Sequence, residues 1–344
     1  MTKNLAITVL TWNDWENTIK CLESIYQSTF SNFDVILVNN NSDKIHLDRI
    51  YEWSKNKINV EDEEIDFNPN KNIEIIEVNK DYLVEYKGKK KIYLINSYEK
   101  KKERWAVNLG CTAGLNLGYN FSLKQEYDYI GRIDCDFIIT SNYLEGIIKT
   151  LNDNKEYMAA SPKIIHGGMK NTIWWCGFHF NWAFLKFHKM MNLKKKRIYD
   201  DETFRGIKDT DVVCGCCSVY KSHVLKLTGL GDEDFFFGPE DMDLSLRIKK
   251  FGKLVVNLDV KTFHNIVSSS KVSGWLSRSY YEAKGFLLLI KKRGDFFDKL
   301  IGYSYFILRI PYFLVLLLLK KREKERVYGF CLGCLDFFLN KKFK

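Results

Sequence analysis

Between residues 5 and 150, strand-like apolar runs alternate with stretches of helical spacing, and this order restricts the chain to an α/β architecture around a mostly parallel sheet. Leu5-Ala6-Ile7-Thr8-Val9-Leu10 reads as a strand. Asp14 to Gln27 then carries Trp15, Ile19, Leu22, Ile25 and Tyr26 near helical spacing. Phe33 to Val38 predicts a second strand, ended by the polar turn Asn39-Asn40-Asn41-Ser42-Asp43. Ile45 to Trp53 predicts a helix and Ile73 to Val78 a third strand. Strands joined through helices in this way take right-handed crossovers. Residues 80–104 interrupt the pattern as a lysine-rich insertion, Lys87 to Lys91 and Lys100 to Arg104, to which periodicity assigns no element. Asn108 to Gly118 then leads through a helix to the apolar run Tyr127–Ile133. Residues 151–235 are irregular and aromatic, with Trp174, Trp175, Phe178, Trp182 and Phe184, and a buried strand is expected over Asp211 to Tyr220. At 344 residues and 46% apolar content, the chain can bury one large domain and carry an appendage.

The run at Tyr127–Ile133 ends in Asp134-Cys135-Asp136. On an extended backbone residues i and i+2 face the same side, so both carboxylates can meet one ligand. Adjacent carboxylates repel unless a cation lies between them, and a hard divalent ion is the usual partner. An ordinary acidic exit from a strand is the alternative reading of the tripeptide alone. Further along, Gly238-Pro239-Glu240-Asp241-Met242-Asp243 opens a helical stretch that runs to Gly252, expected as its C-cap. Its three carboxylates suit a helix N-terminus, where they oppose the macrodipole. Asp243 and Arg247, spaced i, i+4, predict a structural ion pair. Leu254–Leu258 predicts a strand, with His264 just beyond it.

The net charge of +10 is carried by one end. Residues 271–344 hold 16 Lys and Arg against 6 Asp and Glu, and the remaining residues balance at 37 of each. A neutral body excludes a generally nucleic-acid-coated surface and points to one partner reached by the C-terminus. Leu300 to Leu319 is apolar apart from Arg309 and a few hydroxyls, with Pro311 interrupting it and basic clusters on both flanks, Lys291-Lys292-Arg293 and Lys320-Lys321-Arg322. A second amphipathic stretch, Val327 to Leu339, ends in Lys341-Lys342-Phe343-Lys344. These predict helices lying in the interface of an anionic membrane rather than crossing it, since a central Arg costs roughly 2.5–3.5 kcal/mol on insertion. A buried helical subdomain or dimer contact is the competing reading. The chain opens without a signal peptide, so a cytoplasmic location at the membrane surface is expected, with the nine cysteines reduced. Cys331-Leu332-Gly333-Cys334 reads as small residues on a helix.

Taken in order, these pieces resemble the family 2 glycosyltransferases with a GT-A fold, in particular the rhamnosyltransferase-like branch. The resemblance runs over roughly residues 5–265: Leu10-Thr11-Trp12-Asn13, Cys21-Leu22-Glu23-Ser24-Ile25, Val38-Asn39-Asn40-Asn41-Ser42-Asp43, Asn108-Leu109-Gly110 with Gly114-Leu115-Asn116-Leu117-Gly118, Asp134-Cys135-Asp136, and Gly238 to Leu244 with Arg247. It implies a Rossmann-like sheet flanked by helices over residues 1–268 and a membrane-associating helical appendage over 269–344. It implies transfer of a sugar from a nucleoside-diphosphate donor to a hydroxyl of a glycan or lipid-linked acceptor, with inversion, in polysaccharide or lipid-linked glycan synthesis. Mn²⁺ or Mg²⁺ would be held by Asp136, Asp134 and His264, with Asp241 as base and Glu240 beside it. Thr11, Asn13, Asn39, Asn41, Asn108, Gly110, Gly114, Asn116 and Asp134 would surround the donor. Asn39 departs from the family, which usually has an aspartate there; asparagine can accept a hydrogen bond but carries no charge. Homo-oligomers are compatible with all of this.

Two other readings share these features. A sugar-1-phosphate nucleotidyltransferase needs a glycine-rich basic phosphate loop after the first strand, where this chain has Thr11-Trp12-Asn13-Asp14. A non-catalytic, membrane-bound sugar-binding protein would have no use for Asp136, Asp241 and His264 together.

Overall fold

The computed structural model describes residues 5–61, 73–78, 91–97, 108–169, 171–181, 186–189, 198–265, 275–319 and 324–341. Strand β1 (Leu5–Thr11) is buried along nearly its whole length and leads into α1 (Trp15–Tyr26). Asp14 caps that helix, its side chain accepting from the Asn17 N–H, and Ile19, Leu22 and Ile25 face the core. Next come β2 (Phe33–Asn39), α2 (Lys44–Ser54) and β3 (Glu74–Glu77), as periodicity predicts. The supposed insertion then supplies a strand of its own, β4 (Lys91–Asn96), which pairs in parallel with both β2 and β3. Ile92, Tyr93, Leu94 and Ile95 are buried there; the lysines around them hid a short two-faced apolar run. The rest of the lysine-rich stretch lies outside the described residues.

Helix α3 (Cys111–Lys124) leads to β5 (Tyr129–Asp134), and a two-residue turn at Cys135-Asp136 to β6 (Phe137–Ile139). There follow α4 (Tyr143–Asp153), β7 (Tyr157–His166), β8 (Ile173–Trp175), a small hairpin of β9 (Phe178–Asn181) and β10 (Lys186–Lys189), β11 (Ile207–Thr210), β12 (Cys217–Lys221), α5 (Ser222–Thr228), α6 (Glu240–Ile248) and β13 (Lys253–His264). The strand expected over Asp211 to Tyr220 is therefore split. Its first part, Asp211–Cys216, makes only an isolated bridge, Val212 to Phe178, and β12 alone is a ladder strand there. Helix α6 ends at Lys249 rather than at Gly252, whose place is set by packing: a Cβ there would lie 2.5 Å from the Glu156 carbonyl oxygen. β13 runs longer than predicted, so that His264 is its last residue.

The main sheet has the order β11-β13-β7-β12-β5-β1-β2-β4-β3, with β6 paired to β13 and β8 to β7. β1 lies between β2 and β5, parallel to both. The chain leaves β1 on one side through α1 and returns on the other through α3. In open α/β sheets, ligands bind beyond the carboxyl ends of the strands at such a switch point.

Beyond residue 274 three helices follow: α7 (Trp275–Arg293), α8 (Phe296–Leu318) and α9 (Lys324–Phe338). Periodicity anticipated α8 and α9 but not α7. Pro311 lies inside α8 without ending it. The i, i+4 face of α7 at Tyr281, Gly285, Leu289 and Arg293 is turned to the body: Leu289 packs with Val212, Phe235 and Met242, and Arg293 Nε lies 2.5 Å from Asp243 Oδ1. Its other face, with Ala283, Leu287 and Ile290, packs against α8 and α9. There a Cβ on Gly333 would come within 2.5 Å of the Tyr280 carbonyl oxygen, so the α7–α9 contact is backbone-close. Cys331 and Cys334 both lie on α9, Cys334 inside this cluster.

Candidate active site

Arg132 organises the carboxyl end of β5. It stands two residues before Asp134 on the same strand face, and the residue is only 4% exposed. Its Nε and Nη2 donate to the two Asp134 carboxylate oxygens (2.8 and 3.2 Å), and Nη1 to Glu240 Oε1 (3.2 Å). The Cys111 thiol, at the start of α3, lies 3.1 Å from Nη2 and 3.4 Å from Glu240 Oε1. Burial works against the charged guanidinium, but Asp134, Cys111 and Glu240 outweigh it and raise its pKa further. Burial likewise pushes the Asp134 carboxyl above the usual carboxylate range, with Arg132 opposing. One cation thus joins the β5 end to the α6 start.

Asp136 faces a different partner. Its Oδ2 lies 3.3 Å from His264 Nε2, brought there because β6 pairs antiparallel with the end of β13. The imidazole is stacked on Phe137 (4.5 Å between centroids, 15°) and abuts Trp174 edge-on (4.4 Å). It is 8% exposed, and its Nδ1 is buried with no hydrogen-bond partner. Among the described residues, no three His, Cys, Asp or Glu side chains converge as a complete metal-binding group. Asp136 and His264 form a pair, while Asp134 is engaged by Arg132.

Asp241, on the first turn of α6, accepts from Gly215 N–H at Oδ2 (3.1 Å) and from Met242 N–H at Oδ1 (2.8 Å). Gly215 is required by this approach: a Cβ there would lie 2.6 Å from the Asp241 Cβ. Burial and then the neighbouring Glu240 raise the Asp241 pKa to about 6, against the pull of Arg132 and the two backbone donors. Such a carboxylate is ionised at neutral pH yet basic enough to take a proton. Asp243, fully buried, is held by Arg247 (2.9 Å), as the i, i+4 spacing predicts, and also by Arg293 of α7.

The residues assigned to the donor fall into two groups. Thr11 is buried and bonded to Thr18 (2.7 Å); Asn13 and Asn41 have positive φ (52° and 63°), and Asn13 bonds Ser42 and Asp43 across the β1 and β2 ends. Asn39 is fully buried, donating to Asn96 Oδ1 and accepting from Ser42 N–H (both 2.9 Å), which makes it a turn anchor. Asn108, Gly110 and Gly114 line the entry to α3. The neighbouring Asn40, which the sequence did not single out, holds that entry: it accepts from Leu109 N–H and donates to Asn108 Oδ1 and the Gly110 carbonyl. Gly114 packs on Leu10 and Asn40, and Gly110, at φ 84°, lies under Phe236. Asn116 reaches the other way, bonding Gly231 at both its amide groups and Glu233 at 3.0 Å. It thereby positions the loop that precedes α6.

No protein-family model matches this sequence, and no curated protein sequence matches it. The fold is that of the GT-A glycosyltransferases, a mostly parallel sheet flanked by helices. Among solved structures, GalNAc-T7 crystallised with UDP, GalNAc and Mn²⁺ superposes with a TM-score of 0.51 at 13% identity, over 88% of this chain and 54% of that one. TarS of S. aureus aligns at TM-score 0.48 and 12% identity, over 84% of this chain and 40% of that one. The chain spans about half the length of these proteins or less.

Proposed function

We propose that this chain is a metal-dependent, inverting glycosyltransferase of the family 2, rhamnosyltransferase-like kind, acting on a nucleoside-diphosphate sugar and a glycan or lipid-linked acceptor. The observation that carries this reading is the presence of two unlike carboxylate centres beyond the carboxyl end of β5, at the switch point of a GT-A sheet. One is Asp136 with His264; the other is Asp241 with Glu240.

Asp136 and His264 suit an ion that takes its remaining ligands from the substrate's phosphates, the usual arrangement where only one or two protein carboxylates are offered. The ring is held against Phe137 and Trp174, which fixes the direction in which its Nε2 faces Asp136. Imidazole beside carboxylate favours Mn²⁺ over Mg²⁺, and the structural neighbour GalNAc-T7 was crystallised with Mn²⁺. When bound, the ion would neutralise charge on the departing diphosphate. The acceptor hydroxyl oxygen attacks the anomeric carbon as the bond from that carbon to the diphosphate oxygen breaks. The electron pair leaves with the diphosphate, and Asp241 takes the hydroxyl proton. Glu240, held by Arg132, keeps the base's surroundings anionic and its pKa raised. In this reading residues 1–268 form the catalytic domain. Residues 269–344 hold it at the cytoplasmic face of an anionic membrane, where a lipid-linked acceptor would lie.

Asp241→Asn tests the division of labour. It should leave binding of the nucleotide sugar unchanged in calorimetry while transfer falls by about 10²–10⁴-fold. Normal turnover would move the base elsewhere.

A further inference from the structure

Helices α7, α8 and α9 line an open cleft of about 270 Å³ that belongs to neither carboxylate centre. Two arginines, Arg309 of α8 and Arg326 of α9, line it together with Phe286, Phe306, Phe313 and Phe330. Arg309 interrupts the apolar run of α8, and the helix turns it inward. Its guanidinium lies over the rings of Tyr305, Phe313 and Phe330 (5.1, 4.9 and 5.9 Å), and Nη1 donates to the Tyr305 hydroxyl. Among the described ion pairs Arg309 has no carboxylate. Glu282 also lines the cavity, but it is bonded to Arg278 at 3.1 Å.

The surface beside this cavity is apolar. Phe297, Ile301, Leu308, Tyr312, Val315 and Leu318 recur at i, i+3, i+4 and i+7 on the outer face of α8, all more than 40% exposed. At 1.5 Å per residue the stripe is about 32 Å long. It carries no charge between Leu300 and Leu319, because the one cation of that stretch is the inward Arg309.

From this juxtaposition we infer that the cavity binds the phosphate of an anionic phospholipid, one whose headgroup carries no cation to compete with the guanidinium, its chains lying along the α8 stripe. A guanidinium supplies the forked donors that phosphate oxygens accept, and aromatic walls fit the carbon atoms next to them. The volume falls just under the roughly 300 Å³ at which sites for whole small molecules begin, so it suits a headgroup. Helix α7 lines this site and also touches the loop before α6: Tyr281 stacks on Phe236 (5.3 Å), and Gly285 abuts Gly238. A lipid held there would lie across α7 from the proposed acceptor side. The inference rests on the membrane reading but not on the catalytic one.

Flotation of the full chain with phosphatidylcholine vesicles, with and without phosphatidylglycerol, tests it in 1 M salt. There the screening length is about 3 Å and diffuse attraction to the basic surface is lost. The wild type should keep about a fivefold preference for the anionic vesicles. Arg309→Gln should bring that preference below about twofold with phosphatidylcholine binding unchanged, Arg309→Lys should fall between, and Lys291→Gln, on the exposed surface, should match wild type. A preference that survives in Arg309→Gln overturns the inference, as does its loss to competing inorganic phosphate, which would make this a free-phosphate site. Failure of the wild type to float with either vesicle overturns the membrane reading along with it, leaving nucleotide-sugar turnover as a separate question.

Discussion

Arg132 sets the chemistry on both sides of it. Removing it leaves Asp134 and Glu240, both largely buried, without their shared cation, and the penalty for an uncompensated buried charge is about 3–5 kcal/mol. Arg132→Met should lower stability by that order in chemical denaturation and move the acidic limb of the transfer profile above pH 6, because Arg132 holds the Asp241 pKa down. An unmoved limb would show that the two centres are not coupled. Asp241 itself makes a second, linked prediction. Its folded pKa of about 6 lies above its ordinary 3.8, so the native state binds more protons and stability falls as pH rises from about 4 to about 6. Two units are worth about 3 kcal/mol, and losing one of two backbone hydrogen bonds returns about 1. Asp241→Asn should therefore be inactive yet about 2 kcal/mol more stable than wild type at pH 8, with no such gain at pH 4, as read from thermal melts. Wild-type transfer should fall as pH drops below about 6. The carboxylates and His264 were legible in the sequence. Arg132 was visible only as a charge in an apolar run, since its partner Glu240 lies 108 residues away. Asn40 read only as one of several turn residues, and Gly215 gave no signal, because their importance arises from what folds against them.

At the scale of elements, the outline was readable wherever an apolar face had a clear period, and failed where tertiary packing replaced it. β4 was missed because lysines flank six residues whose burial depends on two partner strands. Gly252 was misread as a cap because its reason for being glycine is the Glu156 carbonyl, not the end of α6. Helix α7 escaped notice because it buries both faces, one on the body and one on α8 and α9, so neither stripe stands out. That double role makes Gly285 sensitive. Alanine is the better helix former by about 1 kcal/mol, yet a Cβ there would lie 2.3 Å from the Gly238 carbonyl oxygen. Gly285→Ala should thus lose transfer several-fold by displacing the Gly238-Pro239 loop, while donor binding at Asp136 and His264 is unchanged. Wild-type transfer rates in this variant would remove α7 from the account of the acceptor side.

For the molecule as a whole, strand and helix order was enough to foretell the sheet. The unequal placement of charge set the C-terminal helices apart from the body, though neither said how the two are joined. The answer is ionic as well as apolar: Lys292 meets Asp232 and Asp234 at 2.6 and 2.5 Å, and Arg293 meets the buried Asp243. Part of the basic surplus therefore docks the helices on the body rather than facing a partner. The outer stripe of α8 is the surface that the proposed membrane contact would use. Leu308→Glu with Val315→Glu, at positions 70% and 51% exposed, should release the protein from vesicles at least tenfold with no change in melting temperature; a lowered melting temperature would mean that the stripe is buried against protein. The central claim concerns the other end of the molecule and is tested most directly by calorimetric titration of nucleoside diphosphates and their sugars with and without Mn²⁺. The account predicts that at least one donor binds only when Mn²⁺ is present, and that Asp136→Ala abolishes this binding. Donor binding that is indifferent to the metal, or unchanged in Asp136→Ala, would contradict it.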